Sequence, residues 1–178
     1  MVFSRIWAMP DKRTFSIPPI GDFVKRYLSE SKVSIDPFAG EKKWATYNND
    51  LERDKVDAQD FLKTLADKGV SADLLIFDPP YSPRQISEVY KNVGREVGME
   101  GTQNGALYKR VRTEAMKVLA PCATVLSFGW NSAGMGNKRG FEIIEIMLVA
   151  HGGGHNDTIC VAEKHIPEPT LFAPAQKP

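Results

Sequence analysis

The sequence predicts an α/β protein whose sheet is mostly parallel and covered by helices on both faces. Two observations carry that expectation. Short apolar runs alternate along the chain with segments whose apolar residues recur at three and four, and Leu74-Leu75-Ile76-Phe77 is apolar without interruption. A strand with one wet face alternates polar and apolar residues, whereas an uninterrupted run suits a central strand buried on both faces. The chain has 178 residues, 42% of them apolar and 25% charged, which fits one domain with a sizeable core. We expect that domain over residues 1–165 and a Pro-rich tail over 166–178.

The elements follow in order. Ile20 to Leu28 places Phe23, Val24, Tyr27 and Leu28 at helical spacing behind Pro18-Pro19, a pair suited to a first helical turn. Lys32 to Asp36 reads as a strand closed by the turn Pro37-Phe38-Ala39-Gly40, and Trp44 to Tyr47 as a second strand ending in Asn48-Asn49-Asp50. Asp57 to Asp67, with Phe61, Leu62 and Leu65 at spacings of three and four, predicts a short helix, and Asp73 to Phe77 the central strand. Ser82 to Gly105 is polar and reads as a loop. Ala106 to Leu119 is a helix stopped by Pro121, and Ala123 to Phe128 a strand. A Gly- and Asn-rich loop over 129–139 precedes the long apolar run Phe141 to Ala150. His151-Gly-Gly-Gly-His155-Asn156-Asp157 then turns into Thr158 to Glu163, an antiparallel hairpin. Ligands of such sheets sit beyond the carboxyl ends of the strands, so residues 36–40, 50, 78–81 and 129–131 are expected to line one crevice.

The formal charge of +1 gives no global attraction to nucleic acid, so any such attraction falls to clusters such as Lys42-Lys43, Lys109-Arg110-Arg112 and Lys138-Arg139. Cys122 and Cys160 lie in apolar runs and read as buried free thiols of a reducing compartment, without zinc spacing. The stretch Met1 to Pro10 is too short and too broken for a signal peptide, and no run reaches membrane-spanning length, so cytoplasmic residence is the default expectation.

The apolar strand running into Asp78-Pro79-Pro80-Tyr81 resembles the catalytic motif of amino-group DNA methyltransferases that act on adenine N6. A given tetrapeptide of this kind arises by chance in roughly one chain in a thousand of this length. Its context is similar too. Asp36-Pro37-Phe38-Ala39-Gly40 looks like the family's cofactor loop, Asp50 like the acidic residue after the second strand, and Asp60-Phe61 like its acidic-aromatic contact with the cofactor's adenine. The segment around Phe15, Ser16 and Ile17, before Pro18-Pro19, is similar to the methionine-binding element, although Thr14 and Ser16 also read as turn formers. The resemblance covers residues 14–165 and departs from the family after Gly40, where Glu41-Lys42-Lys43 replaces small residues. No target-recognition domain is evident.

The resemblance implies a Rossmann-like, seven-stranded methyltransferase fold, S-adenosylmethionine as cofactor, adenine in DNA as substrate, and a setting such as restriction-modification. Asp78 and the Pro79 carbonyl would accept the two protons of the target amino group, with Pro80 fixing the turn and Tyr81 stacking on the extruded base. Asp50 would accept from the ribose hydroxyls, Asp60 from the cofactor's amino group, with Phe38 and Phe61 on its apolar side. Gly40 would let backbone approach the methionine part closely. Asp57 reads either as a further cofactor contact or as the N-cap of its helix. Trp130 and Asn131 read as contacts to DNA, with core packing the other reading for Trp130. His155 and Asn156 read as contacts from a hairpin loop over the crevice. A metal role for His151 and His155 lacks partners at suitable spacing, so no metal is expected. Other substrates in the same class are cytosine N4, an RNA base or a protein glutamine. From a different class, the chain reads as a catalytically idle binding subunit. The loops 82–105 and 131–140, or a specificity partner, would supply what a recognition domain otherwise does, and a homodimer is the alternative partner.

Overall fold

The computed structural model describes residues 1–95 and 104–167. The tail expected over 166–178 therefore lies almost wholly outside the described residues. Among the described residues seven strands, β1 (Val2–Trp7), β2 (Ser34–Asp36), β3 (Tyr47–Asn48), β4 (Ala72–Phe77), β5 (Leu119–Gly129), β6 (Phe141–Ala150) and β7 (Thr158–His165), form one sheet in the order β1-β6-β7-β5-β4-β2-β3. Every pairing is parallel except those of β7 with β5 and β6. The expected closing hairpin is thus present, and β7 is the one reversed strand of a parallel sheet.

Helices cover both faces, as the unbroken β4 run requires. Leu74 and Ile76 face helix α1 (Pro18–Glu30) in a core with Ile20, Phe23, Val24, Phe128 and Val149. Leu75 and Phe77 face α3 (Ala58–Asp67) and α5 (Asn104–Ala115) in a second core with Leu62, Leu65, Val111 and Val125. All four β4 side chains are at most 2% exposed, and each contributes roughly 1.5–3 kcal/mol by burial.

Several expectations change. Residues 83–92, expected within a loop, form helix α4 (Pro83–Asn92), started by a capping box in which Ser82 and Gln85 satisfy each other's backbone N–H and Pro83 fills the first turn. Strand β5 begins at Leu119, before Pro121. Pairing with β4 jumps from Ala72–Leu119 to Leu74–Thr124, so β5 bulges around Pro121 and Cys122 and needs no ladder N–H from the proline. Cys122 sits there at φ 59° and is exposed, contrary to its expected burial; Cys160 is buried. The seventh strand is the N-terminal one, β1, which no periodicity announced. A four-residue helix, α2 (Leu51–Asp54), follows β3. Among the described residues no helix is long and apolar enough to cross a membrane.

Candidate active site

The carboxyl ends of β2, β3 and β4 open on a cavity of about 560 Å³, within the usual range for sites that hold a small molecule. Asp78, Pro79, Pro80 and Tyr81 form part of its wall, with Pro37, Phe38, Asp50, Asp57 and Asp60 among the other lining residues. The spacing of the chain explains why they meet: parallel strands bring every post-strand turn to one edge of the sheet.

The tetrapeptide is held from three sides. The backbone N–H of Tyr81 donates to Oε1 of Gln85 at 2.7 Å, so the capping box of α4 also fixes the end of the motif. The Tyr108 hydroxyl donates to the Pro80 carbonyl at 2.9 Å from α5. The Tyr81 hydroxyl donates to Oδ1 of Asp78 and lies 3.3 Å from Oγ1 of Thr14, in the turn before α1. Burial raises the Asp78 carboxyl to about 6, against the lowering effect of the Tyr81 and Thr14 hydroxyls. Burial beside the Asp78 charge pushes the Tyr81 phenol well above its ordinary value.

Not every expected cofactor residue reaches the cavity. Asp36 is 1% exposed and off its wall. Its carboxylate accepts from the Phe38 N–H at 3.0 Å and so shapes the loop from beneath. Burial, with Asp78 and Asp50 adding repulsion, holds that carboxyl well above the usual range. Gly40 adopts φ 53° and does not line the cavity; its carbonyl accepts from Arg53 at 2.6 Å. Phe61 packs on the second core instead. Ile17 is core and Ser16 is off the wall, because the residues around Thr14–Ser16 form a 3₁₀ turn that sends Thr14 to the cavity and Phe15 inward against Trp44 and Phe128. Asp50 caps α2, with Oδ1 accepting from Arg53 N–H at 2.8 Å. A carboxylate has lone pairs left for other donors.

Asp57 stands at the N-cap position of α3, yet its side chain makes no cap bond. It accepts from the Tyr90 hydroxyl and from Arg95 at 2.7 Å. Lys12, Thr14, Asn49, Gln59, Gln85, Tyr90 and Arg110 also line the cavity, although the family resemblance assigns them no role there. For Gln85 a signal existed, since Ser82-Pro83-Arg84-Gln85 spells a capping box.

A second cavity of about 150 Å³ shares Pro79 and Tyr81 with the first. Its wall is rich in rings, Phe77, Tyr108, Phe128 and Trp130, and includes Asn131. Trp130 is 49% exposed, which removes the core-packing reading, and its ring centroid lies 6.0 Å from that of Tyr81. Two buried donors without a hydrogen-bond partner among the described residues, Nε of Arg112 and the Ser127 hydroxyl, belong to residues of the same wall. The Arg112 guanidinium rests over the Phe77 and Tyr108 rings, and burial lowers its proton affinity. The rim at 134–136 is held by buried Glu163, which accepts from the Met135 and Gly136 amides at 2.6 and 2.9 Å. A side chain at Gly134 would collide with that carboxylate, its Cβ falling 2.0 Å from an oxygen.

His155 and Asn156 are exposed and line neither cavity. His151 is buried, with its two ring nitrogens 2.9 Å from the Ala8 carbonyl and the Thr158 hydroxyl, so it ties β1 to the hairpin. Among the described residues no group of three His, Cys, Asp or Glu side chains could hold a metal.

No protein-family model matches the sequence, and a search of curated proteins finds no match. Among solved structures, TrmN from Thermus thermophilus superposes with a TM-score of 0.54 at 15% identity over 86% of this chain and 50% of its own. The chain has the Rossmann-like methyltransferase fold. At that identity the likeness is one of fold, and this chain spans half of TrmN's length. The protein yhhF from Escherichia coli, described as a candidate methyltransferase, matches with a TM-score of 0.47 at 11% identity, over 89% of this chain and 92% of its own.

Proposed function

We propose that the protein transfers a methyl group from S-adenosylmethionine to the exocyclic N6 amino group of adenine in DNA. One observation carries this reading: Asp78-Pro79-Pro80-Tyr81 stands between two cavities, and Pro79 and Tyr81 belong to both. A direct transfer needs that arrangement, with donor and acceptor meeting across a short rigid segment.

The larger cavity fits the cofactor. Its wall carries the carboxylates Asp50 and Asp60 for hydroxyl and amino groups, Phe38 for a flat ring, and Lys12 and Thr14 for a carboxylate. Bound there, S-adenosylmethionine supplies an electrophilic methyl on a sulfonium. The chain's own part is to prepare the nucleophile. An aromatic amine is a poor nucleophile because its lone pair is delocalised. Drawing both its protons toward acceptors localises that pair on nitrogen. The Asp78 carboxylate and the Pro79 carbonyl are those acceptors, and the Tyr81 hydroxyl on Oδ1 turns the remaining carboxylate oxygen toward the amine.

The smaller cavity suits a flat heterocycle, with Tyr81 and Trp130 as ring partners. The Arg112 and Ser127 donors meet acceptor nitrogens on its edge. Unstacking a base from a duplex costs a few kilocalories, which such stacking offsets.

The test is incubation with unmethylated DNA and labelled S-adenosylmethionine, then nucleoside mass spectrometry. The expected product is labelled N6-methyladenine that disappears in Asp78→Ala. Label in N4-methylcytosine, in RNA or in protein would replace the substrate. No label anywhere, with no binding of S-adenosylmethionine by calorimetry, would leave an idle binding subunit.

A further inference from the structure

The site leaves one large feature unused, the strand β1. All six of its residues are exposed, and Met1, Val2, Phe3, Ile6, Trp7 and Met9 are each between 45% and 82% exposed. Among the described residues the strand stands at the end of the sheet and pairs only with β6. An apolar edge strand with a free row of N–H and C=O groups is a template for another strand.

The register on β6 fixes which groups are free. Trp7 lies opposite Ala150, and the Ala8 N–H donates to the Ala150 carbonyl at 3.0 Å. Backbone groups alternate sides along a strand, so Val2, Ser4 and Ile6 bond inward to β6, while Phe3, Arg5 and Trp7 turn their N–H and C=O outward. An antiparallel partner then pairs outward residues with outward ones and inward with inward. Self-pairing about a twofold axis has few solutions. An axis at Arg5 sets two arginines face to face. An axis at Phe3 carries Ile6 and Trp7 past the start of the second copy's strand, and one at Ile6 carries Val2 to Ser4 past its end. An axis at Ser4 sets Phe3 against Arg5 of the second copy, Val2 against Ile6, and Trp7 against Met1, with two small serines at the centre. No like charges meet, and a cation rests beside an aromatic face.

We propose that β1 pairs antiparallel with β1 of a second copy about a twofold axis at Ser4, joining the two sheets into one. The interface is of adequate size. Phe3 and Trp7 belong to the side chains that bury roughly 150–250 Å² each when fully covered, and 63% and 61% of them remain exposed. Two copies of both, with Met1, Val2 and Ile6, approach the roughly 1,000 Å² that a specific interface needs. The closed twofold arrangement also uses up the free edge in both copies. Since β1 runs in the direction of β4, antiparallel pairing points the two active-site crevices to opposite sides, and neither copy completes the other's site.

Light scattering on the full chain across the micromolar range tests this. The expected mass is twice the 19.8 kDa of the chain. Phe3→Lys, which sets a cation against Arg5 of the second copy, is expected to give monomers with unchanged turnover per chain. Phe3→Glu, which meets that arginine with the opposite charge, is expected to remain dimeric. Phe3 is 63% exposed in a single chain, so both variants keep the fold, which their thermal melts would verify. A monomeric parent protein overturns the proposal, as does a dimer indifferent to Phe3→Lys. Equal dissociation by Lys and Glu overturns it as well, because the register requires opposite behaviour.

Discussion

Replacing Tyr81 by Phe removes one hydroxyl and keeps the ring, which separates two roles that the motif combines. That hydroxyl donates to Oδ1 of Asp78. A hydrogen bond to a charged acceptor is worth about 1.5–3 kcal/mol, and about 1.4 kcal/mol corresponds to one pKa unit. The bond favours the carboxylate, so its loss raises the Asp78 pKa. From about 6 the carboxyl is expected to move up by about one to two units. In the proposed mechanism the ionised form accepts the amino protons, so kcat/KM should rise with pH through that value and level off above it. At pH 6 the variant should retain between about a fifth and a fiftieth of native activity, and the two should converge near pH 9. A pH series of kcat/KM on a DNA substrate reads the free enzyme directly. In kcat the nearby sulfonium charge favours the carboxylate, so that profile should lie at lower pH. Superimposable kcat/KM profiles would refute the coupling between Tyr81 and Asp78. A loss of equal size at every pH would show that the hydroxyl acts on substrate instead.

Three further outcomes are expected. Asp50→Asn keeps an acceptor for the Arg53 N–H and loses the charge, so the melting temperature should hold while the dissociation constant for S-adenosylmethionine rises about tenfold or more; an unchanged constant by calorimetry would remove Asp50 from the site. Arg112→Met keeps apolar contact with Phe77 and Tyr108, so kcat/KM for DNA should fall about ten- to a hundredfold with cofactor affinity unchanged; a parallel loss of both would place Arg112 in the fold rather than in the acceptor site. Asp78→Asn should stabilise the fold at pH 8. The folded pKa is raised, so stability present below pH 3.8 is lost as pH rises through about 6. The amide escapes that loss of up to about 3 kcal/mol, and urea unfolding at pH 4 and pH 8 should show a difference between the two proteins only at the higher pH.

What the sequence reveals depends on whether the cause is local. Leu74 to Phe77 is a buried run and Phe141 to Ala150 a partly buried strand, both announced by their own apolar residues, and the latter has the expected bounds. Strand β1 has no such cause. Val-Phe-Ser-Arg-Ile-Trp has no buried face, and it is a strand because β6, far along the chain, offers it an edge from Glu145 opposite Val2 to Ala150 opposite Trp7, a pairing that no periodicity within six residues encodes. The polar stretch after Tyr81 reads as a loop for the opposite reason. Its helix signal, Ser82-Pro83-Arg84-Gln85, lies in backbone capping rather than in apolar spacing. Among the residues that line the cavity, Asp78 to Tyr81 and Asp50 are expected there because post-strand turns share one edge, whereas Asp60, on α3, comes from the resemblance alone. Orientation is not legible in this way. One turn of 3₁₀ geometry decides that Thr14 rather than Ser16 faces the cavity, and one backbone bond to Phe38 draws Asp36 beneath the loop.

The placement of these hidden residues changes what the motif requires. Gln85 belongs to α4, Tyr108 to α5 and Thr14 to the turn before α1, and each holds a different atom of the tetrapeptide or its hydroxyl. Asp-Pro-Pro-Tyr on its strand supplies acceptors and a ring, but not their aim. Two prolines remove two backbone donors, so the turn has few internal bonds of its own and must be oriented from outside. A misplacement of about 1 Å at a reacting centre costs about a hundredfold in rate. Cutting any one of the three tethers should therefore lower turnover more than it lowers stability, since each is a single bond in the fold's energy and, in the proposed mechanism, a coordinate of the reacting amine. The tetrapeptide is the readable part of the site, and its geometry belongs to three elements that the tetrapeptide does not mention.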